Sequence, residues 1–183
     1  MKAMIRTACL VQDAPDMPAT ITPPVFHSMM ASPVGELLLL ADDTGLSALY
    51  MEIRRHPPAE QDGIADESRF REVKAQLRAY FAGELRDFDL PLSLQGSPFQ
   101  LRVWTELQTI AYGETISYGE LARRLGDAKA SRAVGLANGR NPLSIIVPCH
   151  RVIGSNGSLT GYGGGLERKR WLLDHEARPF RLI

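Results

Sequence analysis

Cysteine is nearly absent: the 183-residue chain has two, Cys9 and Cys149. So few thiols exclude a disulfide framework and point to a reduced, intracellular and cytoplasmic setting. There is no group of Cys and His at metal-ligand spacing, and the 4 histidines are scattered, so no metal and no cofactor is expected. No apolar run approaches the roughly 20 residues of a membrane-spanning helix, and the N-terminus lacks the apolar segment of a signal peptide. No membrane association is expected. Net charge is also missing, since 21 Lys and Arg balance 21 Asp and Glu. On its face this argues against a polyanionic partner. The balance conceals a split, however: residues 1–97 hold 9 Lys/Arg against 14 Asp/Glu, a net of −5, and residues 98–183 hold 12 against 7, a net of +5. One lobe meeting a polyanion would produce such an asymmetry, and so would scattered solvated charges.

What is present organises into two lobes, 1–96 and 97–183. Residues 1–24 are Pro-rich and aperiodic, a loosely held leader. Strand-like segments follow at His27–Ala31, Glu36–Ala41 and Leu46–Met51, separated by turn-forming Ser32-Pro33-Val34-Gly35 and Asp42-Asp43-Thr44-Gly45. Arg54–Asp66 reads as a polar loop. Phe70, Val73, Leu77 and Phe81 then recur at helical spacing, with Gly83 as a stop. Asp87–Gly96 reads as a linker.

The second lobe is clearly punctuated. Ser97, Pro98 and Gln100 form a capping box for a helix whose buried face is Phe99, Val103, Leu107 and Ile110, with Gly113 as its end. A second box, Ser117 with Glu120, opens a helix over Tyr118–Leu125 that Gly126 stops. Ala130–Gly139 is a third helix, and two short helices joined by a few residues including Gly have helix-turn-helix spacing. That third helix is built of small side chains with Arg132 near its start. It suits tight helix packing, or close approach to DNA, and the spacing alone leaves both open.

Beyond it, Leu143–Val147 reads as a short buried strand bounded by Asn141-Pro142 and Pro148. Pro148 cannot extend a ladder, so the chain turns and presents Cys149 at the strand end, with His150 and Arg151 beside it. A thiol becomes a good nucleophile when a base or cation favours the thiolate. A buried structural cysteine is an equally good reading of this segment alone.

Taken together, Pro148-Cys149-His150-Arg151 after Asn141-Pro142, the two spaced helices, Gly161-Tyr162-Gly163-Gly164, and Trp171-Leu172-Leu173-Asp174-His175-Glu176 resemble the O6-alkylguanine-DNA alkyltransferases, most closely their bacterial single-module type. The match is dense from about Ser97 to Glu176 and is one of layout in the first lobe. The resemblance implies an α/β fold: a small antiparallel sheet with helices, then a mostly helical DNA-binding and alkyl-acceptor lobe with a helix-turn-helix. It implies that Cys149 is the alkyl acceptor, that His150 takes the thiol proton through a water, and that Glu176 orients His150. Asn141 would brace the active-site turn, Tyr118 would lie near the target base and its phosphate, and Arg132 would fill the stack that the base leaves. Ser131, Ala133, Gly135 and Arg151 would join Tyr118 and Arg132 at the DNA. Val152, Tyr162, Gly163 and Lys169 would line the base pocket. Gly163 departs from members that carry a serine, which widens the pocket and removes a donor, and Ser131 stands where alanine is common.

The activity so implied is a single, irreversible transfer of an alkyl group from O6 of guanine, and from O4 of thymine, in double-stranded DNA, by a monomer. Two rivals stay open on the residues. An alkyltransferase-like protein would bind the lesion without repairing it, although such proteins lack the cysteine. A Cys–His hydrolase would turn over small esters or peptides.

Overall fold

A computed structural model describes residues 25–51 and 63–177 of the chain. The expected leader, most of the expected Arg54–Asp66 loop and residues 178–183 lie outside the described residues. The first half is built on a hairpin of β1 (Phe26–Ser32) and β2 (Gly35–Ala41), extended by β3 (Leu46–Tyr50), all antiparallel. Both turns act as their residues predict: Asp42 accepts from the Thr44 and Gly45 amides in an Asx turn, at 2.7 and 3.1 Å. Gly45 is obligatory for a further reason, because a Cβ there would overlap the Pro91 carbonyl. The sheet is mixed rather than purely antiparallel. Ile64–Ala65, placed in a loop by sequence, forms β4 and pairs parallel with Phe26 and His27, giving the order β3-β2-β1-β4. Two residues carry no periodicity, so only the partner strand reveals such an element.

The periodicity of Phe70 to Leu77 does produce a helix, α1 (Arg71–Ala82), closed by Gly83 in the left-handed conformation at φ 77°. Its inner face runs through Tyr80, which is fully buried, while Phe81 is only half-buried. The expected linker is stitched to the sheet. Leu46 N–H donates to Pro91 O and Ser93 N–H to Leu46 O, and Leu90, Leu92 and Leu94 pack on the core.

The second half contains α2 (Pro98–Leu107), β5 (Ile116–Ser117), α3 (Tyr118–Arg124), α4 (Ser131–Gly139), β6 (Val152–Ile153) and α5 (Leu166–Glu176). Both halves of the Ser97–Gln100 capping box are formed. At Ser117 only one half is: its hydroxyl accepts from Glu120 N–H, and the Glu120 carboxylate turns to Arg123 and Arg124 instead. Trp104, which the helical pattern of α2 also buries, donates through Nε1 to Ala137 O at 2.9 Å and pins α4 to α2. A two-stranded parallel pairing of β5 with β6 sits among the helices and fixes where the chain leaves the cysteine turn.

One hydrophobic core runs through both halves, from Phe26 and Leu37 to Val147 and Leu172. The join that matters for the site is at Leu49. Its side chain is fully buried, its N–H donates to Pro142 O at 2.8 Å, and it bridges to Leu143 at the foot of the cysteine turn. Leu49→Ala should therefore cost about 2–5 kcal/mol in urea unfolding, the range for emptying such a position. A cost below about 1 kcal/mol would mean that the halves are not welded here.

Candidate active site

Leu143–Val147 is not a strand. Leu143 makes a single bridge to Leu49, after which the chain folds on itself: Val147 N–H donates to Leu143 O at 2.8 Å and Ile146 N–H to Ser144 O at 2.9 Å. The β-branched apolar residues that suggested a strand are buried here as a turn, and Ile145 takes φ 73°, a conformation that costs a β-branched residue about 1–3 kcal/mol. Asn141 spans the turn, donating from Nδ2 to Val147 O at 2.8 Å and accepting from Leu143 N–H at 3.0 Å. Pro148 follows, and Cys149 opens a single 3-10 turn, Cys149–Arg151, rather than standing at a strand end.

Cys149 is buried, and burial pushes its thiol up from 9.0; the Asn141 amide and the Lys169 charge act against that rise. The resting sulfur is thus a thiol. Next to it His150 has no exposed surface. Its Nε2 lies 2.9 Å from Glu176 Oε1, and its Nδ1 meets no hydrogen-bond partner among the described residues. Burial pulls the imidazole below 6.5, with Glu176 acting to raise it and Arg151 and Lys169 acting to lower it. Burial would raise the Glu176 carboxyl too, but hydrogen bonds and charge from His150 and Arg151 outweigh it and hold the group far below 4.5. The pair therefore rests as carboxylate and neutral imidazole. Nε2 donates to Glu176, which leaves the Nδ1 lone pair to accept a proton.

Arg151 corrects an expectation. It is buried instead of facing outward: Nε donates to Glu176 Oε2 at 2.8 Å, Nη2 to Oε1 at 3.0 Å and Nη1 to Ile110 O at 2.5 Å. Glu176 also accepts from the Tyr80 hydroxyl at 2.7 Å and from Gly113 N–H at 3.1 Å. Tyr80 is not among the residues the sequence points to, and Gly113 figures there only as a helix end. The helical period buries Tyr80, but nothing local says what its hydroxyl meets.

The remaining residues divide into a wall and a face. Tyr118, at the start of α3, donates to Thr160 O at 3.2 Å, and burial raises its phenol above 10.0. Lys169 is fully buried, donates to Val152 O and Thr160 O at 2.7 and 2.8 Å, and lies 5.9 Å from the Tyr118 ring centroid. Val152 is buried, Tyr162 is half-buried with its hydroxyl 3.7 Å from Met51 Sδ, and Gly163 lies exposed beside the Gly139 carbonyl. These groups surround the cysteine turn. Along α4, Arg132, Ala133 and Leu136 point outward, Leu136 being 58% exposed, with Ser131 half-buried. Gly135 is half-buried, and a Cβ there would sit 3.6 Å from the Tyr118 ring. Asn138, missed from sequence, lies on the inner side of α4 and donates to Cys149 O at 3.3 Å, tying that helix to the nucleophile's turn. Among the described residues no group of His, Cys, Asp and Glu could hold a metal ion, and no helix is long and apolar enough to cross a membrane.

A sheet-based half and a helical half thus enclose a thiol with a carboxylate-oriented histidine, the makings of a cysteine-centred group acceptor. The 6-O-methylguanine DNA methyltransferase models match twice, as the ribonuclease-like domain over residues 25–94 and as the DNA binding domain over residues 98–178. The chain is 50% identical over 153 residues to the methylated-DNA–protein-cysteine methyltransferase of Methanosarcina acetivorans, spanning 83% of this chain and 98% of that one. It is 54% identical over 147 residues to the protein of the same name from Mycolicibacterium paratuberculosis, spanning 80% and 89%. The crystal structure of the Mycobacterium tuberculosis O6-methylguanine methyltransferase superposes with a TM-score of 0.80 at 52% identity, over 84% of this chain and 93% of that one. A complex of the same organism's protein with DNA superposes with a TM-score of 0.78 at 51% identity, over 83% and 92%. The chain belongs to the 6-O-methylguanine DNA methyltransferase family.

The two depressed groups predict the acid behaviour of the fold. His150 is neutral in the native state and charges more readily when unfolded, so stability falls as pH drops below 6.5. Glu176 is held ionised, so its contribution is present above 4.5 and is lost as pH falls toward its lower folded value. Both act in the same direction. The free energy of urea unfolding should decline steadily from pH 7 downward, and Glu176→Gln should flatten the part below about pH 4.5. An equal slope in the variant would remove Glu176 as the source.

Proposed function

We propose that this protein repairs O6-alkylguanine in double-stranded DNA by moving the alkyl group irreversibly onto Cys149. The observation that carries the reading is the buried Cys149–His150–Glu176 set, in which a carboxylate-held imidazole keeps its Nδ1 without a hydrogen-bond partner among the described residues and directly follows a buried thiol in the chain. His150, through a water, takes the thiol proton. The sulfur lone pair attacks the alkyl carbon in line, the carbon–O6 bond breaks, and its electron pair leaves on the guanine. Tyr118, kept protonated because burial raises its phenol above 10.0, supplies a donor to the purine as that charge develops. The Lys169 ammonium stabilises the thiolate. The product is a thioether, which no described residue is placed to hydrolyse, so each molecule acts once.

Asn141 braces the turn that carries the nucleophile, and Val152, Tyr162, Gly163 and Lys169 line the base pocket. The α3–α4 pair serves as a helix-turn-helix whose outer face, with Arg132, Ala133 and Ser131, meets DNA. Residues 1–96 form the α/β lobe and 97–183 the DNA-binding and alkyl-acceptor domain, and the protein works as a cytoplasmic monomer. An O4-alkylthymine is a second substrate of the same geometry. The target base lies inside the duplex, so it must be flipped out at a cost of a few kcal/mol.

Intact-protein mass spectrometry after mixing with an O6-methylguanine duplex tests the reading. One methyl per protein should accumulate on the Cys149 peptide, and Cys149→Ser should bind DNA and accept nothing. Continued turnover, or methyl on Cys9, would sink the assignment.

Arg132 is exposed at the start of a helix of small residues, with no neighbour to duplicate its reach. If it fills the vacated stack, Arg132→Ala should slow transfer from duplex by about 10- to 100-fold, given the cost of unstacking, and should leave transfer from the free base nearly unchanged. A phosphate contact would instead weaken binding to any DNA in a salt-dependent way. Equal loss on both substrates would put Arg132 in the chemistry or the fold.

A further inference from the structure

The Tyr80 phenol sits on α1, in the opposite half of the chain from Cys149, and is fully buried. It donates to Glu176 Oε1 at 2.7 Å, the oxygen that also faces His150 Nε2 at 2.9 Å and Arg151 Nη2 at 3.0 Å. Oε2 takes the other Arg151 donor at 2.8 Å and the Gly113 N–H at 3.1 Å. Three donors therefore share the oxygen that His150 must use. A carboxylate strengthens a histidine base through the negative charge left on the oxygen facing the ring, and each further donor withdraws some of that charge. The phenol is a permanent donor, because burial, and then the Glu176 charge, raise it well above 10.0.

We propose that Tyr80 is a positioning residue for alkyl transfer, acting through Glu176 Oε1 to keep His150 neutral and ready to take the thiol proton. The proposal rests on the relay described above. It gives the α/β half a part in the chemistry that its distance along the chain conceals.

Of the neighbouring groups, Glu176, Arg151 and Lys169 act on His150 directly. Glu176 and Lys169 face it from α5, Cys149 and Arg151 adjoin it in the chain, and Tyr112 and Arg86 lie beyond Glu176. His175 contacts Tyr80 rather than His150, its Nε2 donating to the Tyr80 carbonyl oxygen at 2.8 Å. Tyr80 is the member of this set whose contribution a single-atom deletion removes while the packing stays: Phe at this position would retain the ring contacts to Phe81, Phe88, Tyr112 and His175. Glu176 would keep its other four donors.

The test is the pH dependence of single-turnover methyl transfer from duplex, read alongside the ¹⁵N titration of His150. The wild-type rate should fall on the acid side as His150 takes a proton. Tyr80→Phe should move that limb, and the His150 titration, upward by about half to one pH unit, a three- to tenfold loss of rate on the acid side. Tyr112→Phe should leave the limb in place. A uniform slowing of Tyr80→Phe with no movement would make Tyr80 a structural residue only and overturn the proposal. Should Tyr80→Phe fail to fold, 3-fluorotyrosine at position 80 keeps the shape and donates more strongly, so the limb should move downward; an unmoved limb overturns the proposal equally. His150→Ala separates the two readings. If the acid limb persists there, the relay itself is wrong, whereas a limb lost in His150→Ala but unmoved in Tyr80→Phe defeats the Tyr80 proposal alone.

Discussion

The Glu176 carboxylate is the interaction on which the rest of the site depends. A buried carboxylate without partners would cost several kcal/mol and would take up a proton instead. Here it stays ionised because Tyr80, Gly113, His150 and Arg151 all donate to it. Those donors come from α1, from the turn after α2 and from the 3-10 turn, while the carboxylate itself ends α5. Satisfying one charge therefore brings four segments to one point. It orients the imidazole as a consequence.

The cysteine turn shows a second constraint, imposed from outside itself. Ile145 at φ 73° would relax if the segment were free. It is kept there by Asn141 across the turn, by Leu49 beneath it and by Asn138 on the Cys149 carbonyl. Two of these reach the turn from α4 and its C-terminal edge, and the third comes from the sheet. A displacement of α4 would consequently be felt at the cysteine turn, through Asn138.

Much of this organisation is legible in the sequence. The strands of the first sheet, the α1 period, the Ser97 cap and the Cys149–His150 pair all follow from local rules of alternation, spacing and capping, and these hold because each concerns atoms within a few residues of one another. The readings that failed share another property. Ile64–Ala65 is a strand only because β1 lies alongside, and Leu143–Val147 is a turn only because Leu49 and Asn141 hold it. Arg151 was legible as a cation beside a histidine, but its direction was not. An exposed arginine and a buried one look alike in sequence, and the difference is whether a carboxylate 25 residues further on folds back to meet it.

The sequence by itself determined the first strands, the helices with their caps, and the reactive residue types with their likeness to a family, since periodicity, punctuation and motif are properties of the chain. The tertiary structure alone decided the burial that shifts Cys149, His150 and Glu176, the inward turn of Arg151, and the hydrogen bond from Tyr80 to Glu176. Those depend on burial and on donors separated by up to 96 residues, and a pattern along the chain carries no record of which distant groups will share a dielectric.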